Sequence, residues 1–526
     1  MIKKFSTLRE DLSAGLVVFL VALPLCLGVG LASTNVPGIT GMPNVFSGII
    51  AGVIGGIFVG FFSGSRIGVS GPAAGLITII VAAIGTLGSF QGFLLAVLIS
   101  GIIQLIASYL KLGILASYFP SAVIKGMLAA IGITLILKEI PHAFGYDADF
   151  FGDEAFKQPD GHNTFSELFY AFGALQPGAI IVSLVSIALL LFFDRPVIRK
   201  TALFKFLPGA LFVVVLGVVM NQLFKAISPE WQLMGIHLVQ LPVPETFGQL
   251  LNVFQFPDFS FLTNPQVYVV AGTIALVGSL ETLLSVEATD KLDPEKHHTP
   301  TNQELRAQGI GNIISGLIGG LPVTQVIVRS SANVNAGAKS KTATIFHGVL
   351  LLVTVIFIPS ILNLIPLASL AAILIMVGYK LSKVELYRSQ YRLGFEQFTP
   401  FLATIIGVLM TDLLKGIGIG MCFAIFYILR RNYRNNYILS RKSGKTTIET
   451  EIILSEEVTF LNKGGILKSL EGIPKDSSVT IDGSRCRAID YDVLEIIQDF
   501  KEFGAPERNI KLTTINVPEV TLASSH

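Results

Sequence analysis

The sequence predicts an α-helical polytopic membrane protein, built from fourteen transmembrane elements as two inverted seven-span repeats and followed by a small cytoplasmic α/β domain. Three observations predict it. Only 14% of the 526 residues are charged and 52% are hydrophobic. The mean hydropathy is +0.68. Polarity rises only after about residue 432. A soluble chain carries about 25% charged residues, so this one has too little polar surface to face water on all sides. The formal charge of +2 is too small to argue for a nucleic-acid partner.

Crossing the hydrocarbon core takes about 20 mostly apolar residues. Spans are expected near 12–33, 43–62, 66–88, 90–110, 121–138, 172–194, 201–224, 265–286, 303–320, 321–338, 341–364, 366–381, 397–413 and 415–431. The N-terminal MIKKFSTLRE runs straight into the first, with no convincing cleavage site, so it reads as a spanning helix and not a signal peptide. A cytoplasmic N-terminus puts Arg66, Lys111, Arg199, Lys200, Lys205, Lys339 and Lys380 on the cytoplasmic side, and Arg430 and Arg431 at the start of the tail. The connection at about 139–171 falls on the opposite side and is acidic, with Asp147, Asp149, Asp153, Glu154 and Asp160. That distribution obeys the positive-inside rule. Fourteen is twice seven, and an odd half makes its second copy enter from the other side. The transport domain is therefore set at 1–431, with repeats at about 1–224 and 265–431, and the C-terminal domain with its linker at 432–526.

The third and tenth spans are interrupted. RIGVSGPAAGLITII has small or β-branched residues up to Ser70, then Gly71-Pro72, and predicts a short extended run followed by a half-helix from Gly71. GGLPVTQVIVRSSANVNAG is broken by Gly319, Gly320 and Pro322, and predicts a half-helix from Arg329-Ser330. Broken spans at matching places in two halves point to a transport site. Two half-helix N-termini would offer N–H groups and positive dipole ends to an anion. The plainer alternative is a pair of kinks with packing glycines. Arg329 is costly inside a membrane and needs a partner or a polar cavity. It could hold an anion, pair with a carboxylate, or sit at the cytoplasmic mouth.

In the eighth span, Gly278, Glu281, Thr282 and Ser285 share one helical face. Glu281 could bind a coupling cation, carry a proton, or balance Arg329; the structural alternative is a hydrogen bond to a facing helix. A Na+ site there would draw oxygens from Glu281 and Ser285, with Thr282 near them. In the ninth span Asn312, Ser315, Gly316 and Gly319 share a face that reads as close packing. His347 reads as a hydrogen-bonded core histidine, His297 and His298 as loop residues, and Lys125 as a snorkelling side chain. Cys26, Cys422 and Cys486 have no disulfide or metal spacing. In the tail, IETEIILSEEVTFLN, a helix near 463–472, SSVTIDG, YDVLEIIQDFKEF and NIKLTTI alternate strand and helix.

The wording DLSAGLVVFLVALPL, GVSGPAAGL, GSLETLLS, GGLPVTQVIVRSSANVNAGAKSKT and TDLLKGIGIG, in that order, resembles the sulfate permease (SulP) family of anion transporters. TIDGSRCRAID resembles the STAS domain that follows in that family. The resemblance implies a core of spans 1–4 and 8–11, a gate of the remaining spans, elevator-like movement and a homodimer. It places the anion between the first span, at Pro24, and the two breaks, at Ser70, Gly71 and Ala73 and at Gln325, Val326, Ile327 and Arg329. It makes Glu281 the coupling residue, for H+ or Na+, with Thr282 and Ser285 beside it. Three departures stand out. Leu25 follows Pro24 where many relatives have glutamine, and Gln325 is a candidate replacement. Val328 precedes Arg329 where many have serine. Tyr491 follows Asp490 where phosphorylated STAS relatives have serine.

The function these features imply is secondary transport of bicarbonate or sulfate across the inner (plasma) membrane, with both termini cytoplasmic and no cofactor beyond the coupling ion. The LPLCLGVGLAS wording looks like a branch linked with carbonic anhydrases. The rivals are an anion exchanger, a channel-like chloride pathway or voltage-driven motor, and a dicarboxylate or nucleobase carrier. No Ser/His, paired-Asp or HExxH arrangement supports an enzyme.

Overall fold

The first apolar run forms one long helix, α1 (Ile2–Ser33), because nothing but Pro24 interrupts it. In the computed structural model the described residues are 2–34, 45–148, 156, 163–195, 208–241, 243, 253–434, 437–443 and 448–520. Asp149, Asp153, Glu154 and Asp160 of the acidic connection, and Arg199, Lys200 and Lys205, lie outside them. Contacts divide the chain into two compact units, Met1–Met421 and Cys422–His526.

In the first unit α2 (Phe46–Ile54) continues through a π-helical turn at Gly55–Val59. Strand β1 (Ser70–Pro72) and a 3-10 turn (Ala74–Leu76) lead into α3 (Ile77–Leu87). Then come α4 (Phe90–Tyr109), α5 (Ser121–Phe144), α6 (Thr164–Ala171), α7 (Pro177–Phe193) and α8 (Gly209–Ile227). The later part holds α9 (Pro265–Leu292), α10 (Thr301–Ile318), β2 (Val323–Gln325), α11 (Ile327–Ala336), α12 (Lys341–Phe357), α13 (Leu367–Leu381), α14 (Val384–Arg392), α15 (Phe395–Met410) and the beginning of α16 (Leu413–Arg434), within which the division falls. Each of the fourteen expected elements is met by a helix or by a strand leading into one. Among the described residues seven helices are long and apolar enough to cross a membrane, and the bent pair α11 and α12, meeting at 114°, would make an eighth. The chain is a multi-pass membrane protein. Helices α6 and α14 were not expected; both are short and lie in connections between spans.

Two features position the site. Helices α4 and α10 lie against each other where Gly309 leaves no side chain, since a Cβ there would come 2.8 Å from the Gly101 carbonyl. Asp11, 1% exposed on α1, takes the Lys339 and Ser340 backbone N–H groups at 2.7 and 2.9 Å, so α1 holds the turn between α11 and α12.

The second unit is a small α/β domain. Strands β3 (Tyr437–Ser443), β4 (Ile448–Leu454), β5 (Ser478–Asp482) and β6 (Lys511–Ile515) form one sheet in that order. The β3–β4 pair is antiparallel; β4–β5 and β5–β6 are parallel. Ile452, Leu454, Val479 and Ile481 bury one face against α17 (Lys463–Glu471) and α18 (Tyr491–Asp499) through Ile466, Leu470, Val493 and Ile497. Each strand and helix expected in the tail is present.

Candidate functional site

The two interrupted segments meet. Strand β1 pairs antiparallel with β2, in the register Ser70 with Gln325, Gly71 with Thr324 and Pro72 with Val323. Non-helical backbone inside a membrane protein must find internal partners. The ladder supplies some of them, and side chains supply the rest. Val326 N–H donates to the Val69 carbonyl at 3.0 Å, and Val69 N–H donates to Ser330 Oγ at 3.0 Å. Asn333 Nδ2 donates to the Ile67 carbonyl at 2.8 Å, and Thr344 Oγ1 to the Gly68 carbonyl at 3.0 Å.

The ladder moves one helix start. The half-helix expected from Gly71 begins at Ile77, after the 3-10 turn, because Ser70–Pro72 is held extended by its partner strand. The half-helix expected at Arg329-Ser330 begins slightly earlier, at Ile327. No side chain caps α11, so its first-turn N–H groups and positive dipole end have no side-chain acceptor.

Beside the start of α11 lies a cavity of about 40 Å³. Leu25 and Val29 of α1, Pro72 of β1, Ile131 of α5, Glu281 and Ser285 of α9, Val326–Arg329 and Leu413 line it. Arg329 is 1% exposed. Its Nη2 donates to the Pro72 carbonyl at 3.3 Å, and Nη1 has no hydrogen-bond partner. Among the described residues it makes no ion pair. A Cβ on Gly71 would collide with Nη1, so that glycine is what lets the guanidinium lie against the crossing. The Cys26 thiol lies beside the guanidinium as well. Glu281 lies over Gly75, where a Cβ would be 3.2 Å from Oε1.

The expected site residues thus divide. Val326, Ile327, Arg329, Glu281 and Ser285 line the cavity. Pro24 is buried within α1, and its neighbour Leu25 faces the cavity. Ser70 accepts from Gln308 Nε2 at 2.8 Å, Ala73 is in an apolar cluster, and Gly71 backs Arg329. Thr282 Oγ1 accepts the Gln325 N–H at 3.3 Å and so holds β2. The side chain of Gln325 donates to Thr289 Oγ1 at 3.3 Å and is not among the residues that line the cavity. Pro72 has no N–H to offer an anion. His347 is a buried core histidine, with Nδ1 donating to the Thr344 carbonyl at 2.7 Å.

Sequence reading missed Asn312, taken there as packing. Its Oδ1 accepts the Val323 N–H at 2.6 Å, and its Nδ2 donates to the Val323 carbonyl at 3.0 Å and to Gln104 Oε1 at 2.7 Å. It holds the free edge of β2. The signal was present: Glu304, Gln308 and Asn312 recur every four residues, a polar stripe that runs from the polar first half of the helix into its apolar second half.

A second cavity, of about 550 Å³, opens at the far end of α11. It is lined there by Ala332, Ala336 and Lys339, by Arg9 and Glu10 of α1, and by Asp194 and Lys380, which pair at 3.1 Å. Helix α11 therefore runs from one cavity to the other.

The sulfate permease family profile matches residues 8–404. YvdB of Bacillus subtilis is 28% identical over 426 residues, 80% of this chain and 74% of its own. The bicarbonate transporter BicA of Picosynechococcus is 26% identical over 438 residues, 81% and 71% of the two chains. In solved structures, SLC26A9 gives a TM-score of 0.65 at 15% identity, covering 98% of this chain and 85% of that one. The BicA transmembrane domain gives 0.55 at 23%, covering 78% and 98%. The crossed strand-to-helix breaks thus stand in a fold shared with those two structures, and the chain belongs to the sulfate permease family.

Proposed function

We propose that the protein is a secondary transporter of a small inorganic oxyanion, bicarbonate or sulfate, bound between Arg329 and the start of α11. The observation that carries this is the buried guanidinium with a hydrogen-bonding nitrogen left over, at the wall of a cavity. A buried guanidinium nitrogen without a hydrogen-bond partner is expensive, and an arriving anion lowers that cost. The named transport activities of BicA and of the bovine sodium-independent sulfate anion transporter support the same class. A cavity of about 40 Å³ has room for a few water-sized groups. That suits a stripped inorganic anion and argues against a dicarboxylate.

Glu281 shares the cavity with Arg329, so cation occupancy and anion occupancy would influence each other. Protonation, or Na+ held with Ser285, would ease the approach of an anion to a site that already holds a carboxylate. The wide cavity at the other end of α11 would be the aqueous approach, on the cytoplasmic side if the termini are there. Elevator movement, inverted repeats, a homodimer, residence in the inner membrane and a link to carbonic anhydrase complete the proposal.

Purified protein in liposomes, given labelled bicarbonate or sulfate under imposed pH or Na+ gradients, tests it. Arg329→Gln is expected to remove uptake of the preferred anion by more than about tenfold, the value of a lost charged hydrogen bond. Glu281→Gln is expected to retain anion exchange but lose its response to the gradient. Full uptake in Arg329→Gln would reject the site. Current that follows conductance and ignores the coupled gradient would favour the channel.

A further inference from the structure

The charges around the small cavity can be counted. Among the described residues that line it, Arg329 and Glu281 alone are charged. A guanidinium is not deprotonated inside a protein, so Arg329 contributes one fixed positive charge. Cys26 and His347 are near enough to feel that charge. His347 adds none of its own. Its Nδ1 donates to the Thr344 carbonyl, and its Nε2 is buried with no partner, so a second proton on the ring would have no acceptor to meet.

Glu281 sets the balance. While it is ionised with no cation beside it, it cancels Arg329, and the cavity has no net attraction for an anion. Once a proton or Na+ neutralises it, one positive charge is left over. Neither state offers two.

Dehydration turns that count into selectivity. The cost of taking an ion out of water rises with the square of its charge, so a dianion costs roughly four times as much to bury as a monoanion of the same size. Its attraction to a single cation only doubles. The wall does little to offset the difference. Its donors are at most Arg329 Nη1, the uncapped first turn of α11 and the Ser285 hydroxyl. Leu25, Val29, Ile131 and Leu413 bring no hydrogen-bonding side chain, and Pro72 brings no N–H. Sulfate has four equivalent oxygens that all need donors, and this wall cannot serve them all. Bicarbonate can keep its two charged oxygens on the donors that exist.

We infer that the site selects for a single negative charge: it takes a monoanion of bicarbonate's class and rejects the sulfate dianion. The inference rests on the transport reading of that site and chooses between the two anions left open there.

The test uses purified protein in liposomes. Uptake of labelled bicarbonate is read against nitrate, perchlorate and sulfate as competitors, and uptake of labelled sulfate is read directly. Perchlorate has sulfate's tetrahedral shape and one charge fewer, so the pair separates charge from shape. Nitrate and perchlorate are expected to inhibit at concentrations about tenfold or more below sulfate, because the dianion carries the larger dehydration cost. Leu413→Lys, at the half-buried start of α16, adds a second positive charge to the lining. It is expected to narrow the gap between perchlorate and sulfate severalfold, with the unfolding temperature near the parent's. Sulfate that competes as well as perchlorate would overturn the inference. So would sulfate taken up with a KM like that of bicarbonate, or a folded Leu413→Lys protein that keeps the parental gap. If Leu413→Lys does not fold, the perchlorate and sulfate comparison in the parent decides alone. A parent that moves none of these anions would sink the transport reading itself, a result separate from their ranking.

Discussion

Arg329 and Asp147 are both buried charges, and they are treated in opposite ways. Asp147 lies just beyond the end of α5 with its carboxylate almost fully enclosed. His142 Nδ1 approaches one oxygen at 2.5 Å and His237 Nδ1 the other at 2.6 Å. A buried ion pair, Lys138 with Glu167 at 3.6 Å, belongs to the same region. Burial works against the charged form of Asp147, but the hydrogen bonds and charges of the two histidines prevail and hold its carboxyl below the usual range. Arg329 has one carbonyl and a nitrogen to spare. A cluster that satisfies itself fixes structure; a buried charge left open beside a cavity keeps a place for something that comes and goes.

The comparison breaks most sharply at Gly71. Gly71→Ala puts a methyl onto Arg329 Nη1, and the side chain that has to give way is the guanidinium itself. The guanidinium must swing off the crossing. Anion uptake is expected to fall by about tenfold or more, with the protein still folded, because a charged hydrogen bond is lost at the ligand and not in the scaffold. A Gly71→Ala protein with parental KM and rate would show that the guanidinium does not need this seat.

Asp147→Asn tests the other side. It leaves the buried His142 and the partly exposed His237 facing a neutral amide, and is expected to cost about 1–3 kcal/mol of stability with KM unchanged. The pH dependence has a definite sign. A carboxyl held below its ordinary value in the folded state stabilises above the unfolded value, and that contribution fades as pH falls through the lowered one. Thermal unfolding of the parent should therefore lose stability on acidification below about pH 4, and Asp147→Asn should lose less. A variant that melts like the parent but transports poorly would reverse the assignment of roles.

Much of this was legible in the sequence, and what was not has a physical reason. Gly71-Pro72 and Gly319 to Pro322 announce breaks because glycine and proline interrupt helices locally. Arg329 and Glu281 stand out because charge inside an apolar run is costly. What one break does to the other is not local. Ser70 and Gln325 are 255 residues apart in numbering, and only their pairing explains why α3 starts at Ile77 and not at Gly71. The direction of Gln325 was invisible for the same reason, since Thr289 on α9 decides it. Asp147 read as one charge among several in an acidic connection, because its two histidines come from separate segments.

Asn312 lies between the two kinds of site and separates their consequences. It is neutral and fully satisfied, as the Asp147 cluster is, yet it grips β2 within the crossing, as nothing around Asp147 does. Its amide meets both backbone groups of Val323, much as a neighbouring strand would. Asn312→Ala leaves that N–H and carbonyl buried without partners, and the cost is expected to be about 1–2 kcal/mol. The freed edge should also let β2 shift against β1. A modest rise in anion KM is therefore expected together with the fall in unfolding temperature, which neither Gly71→Ala nor Asp147→Asn should show. Asn312→Asp sharpens the point: its carboxylate can still accept from Val323 N–H but turns an oxygen toward the Val323 carbonyl and Gln104 Oε1. If the aspartate variant matched the parent in both measurements, the amide would not be clamping the strand, and satisfied polar groups at the crossing would have to be counted as scaffold alone.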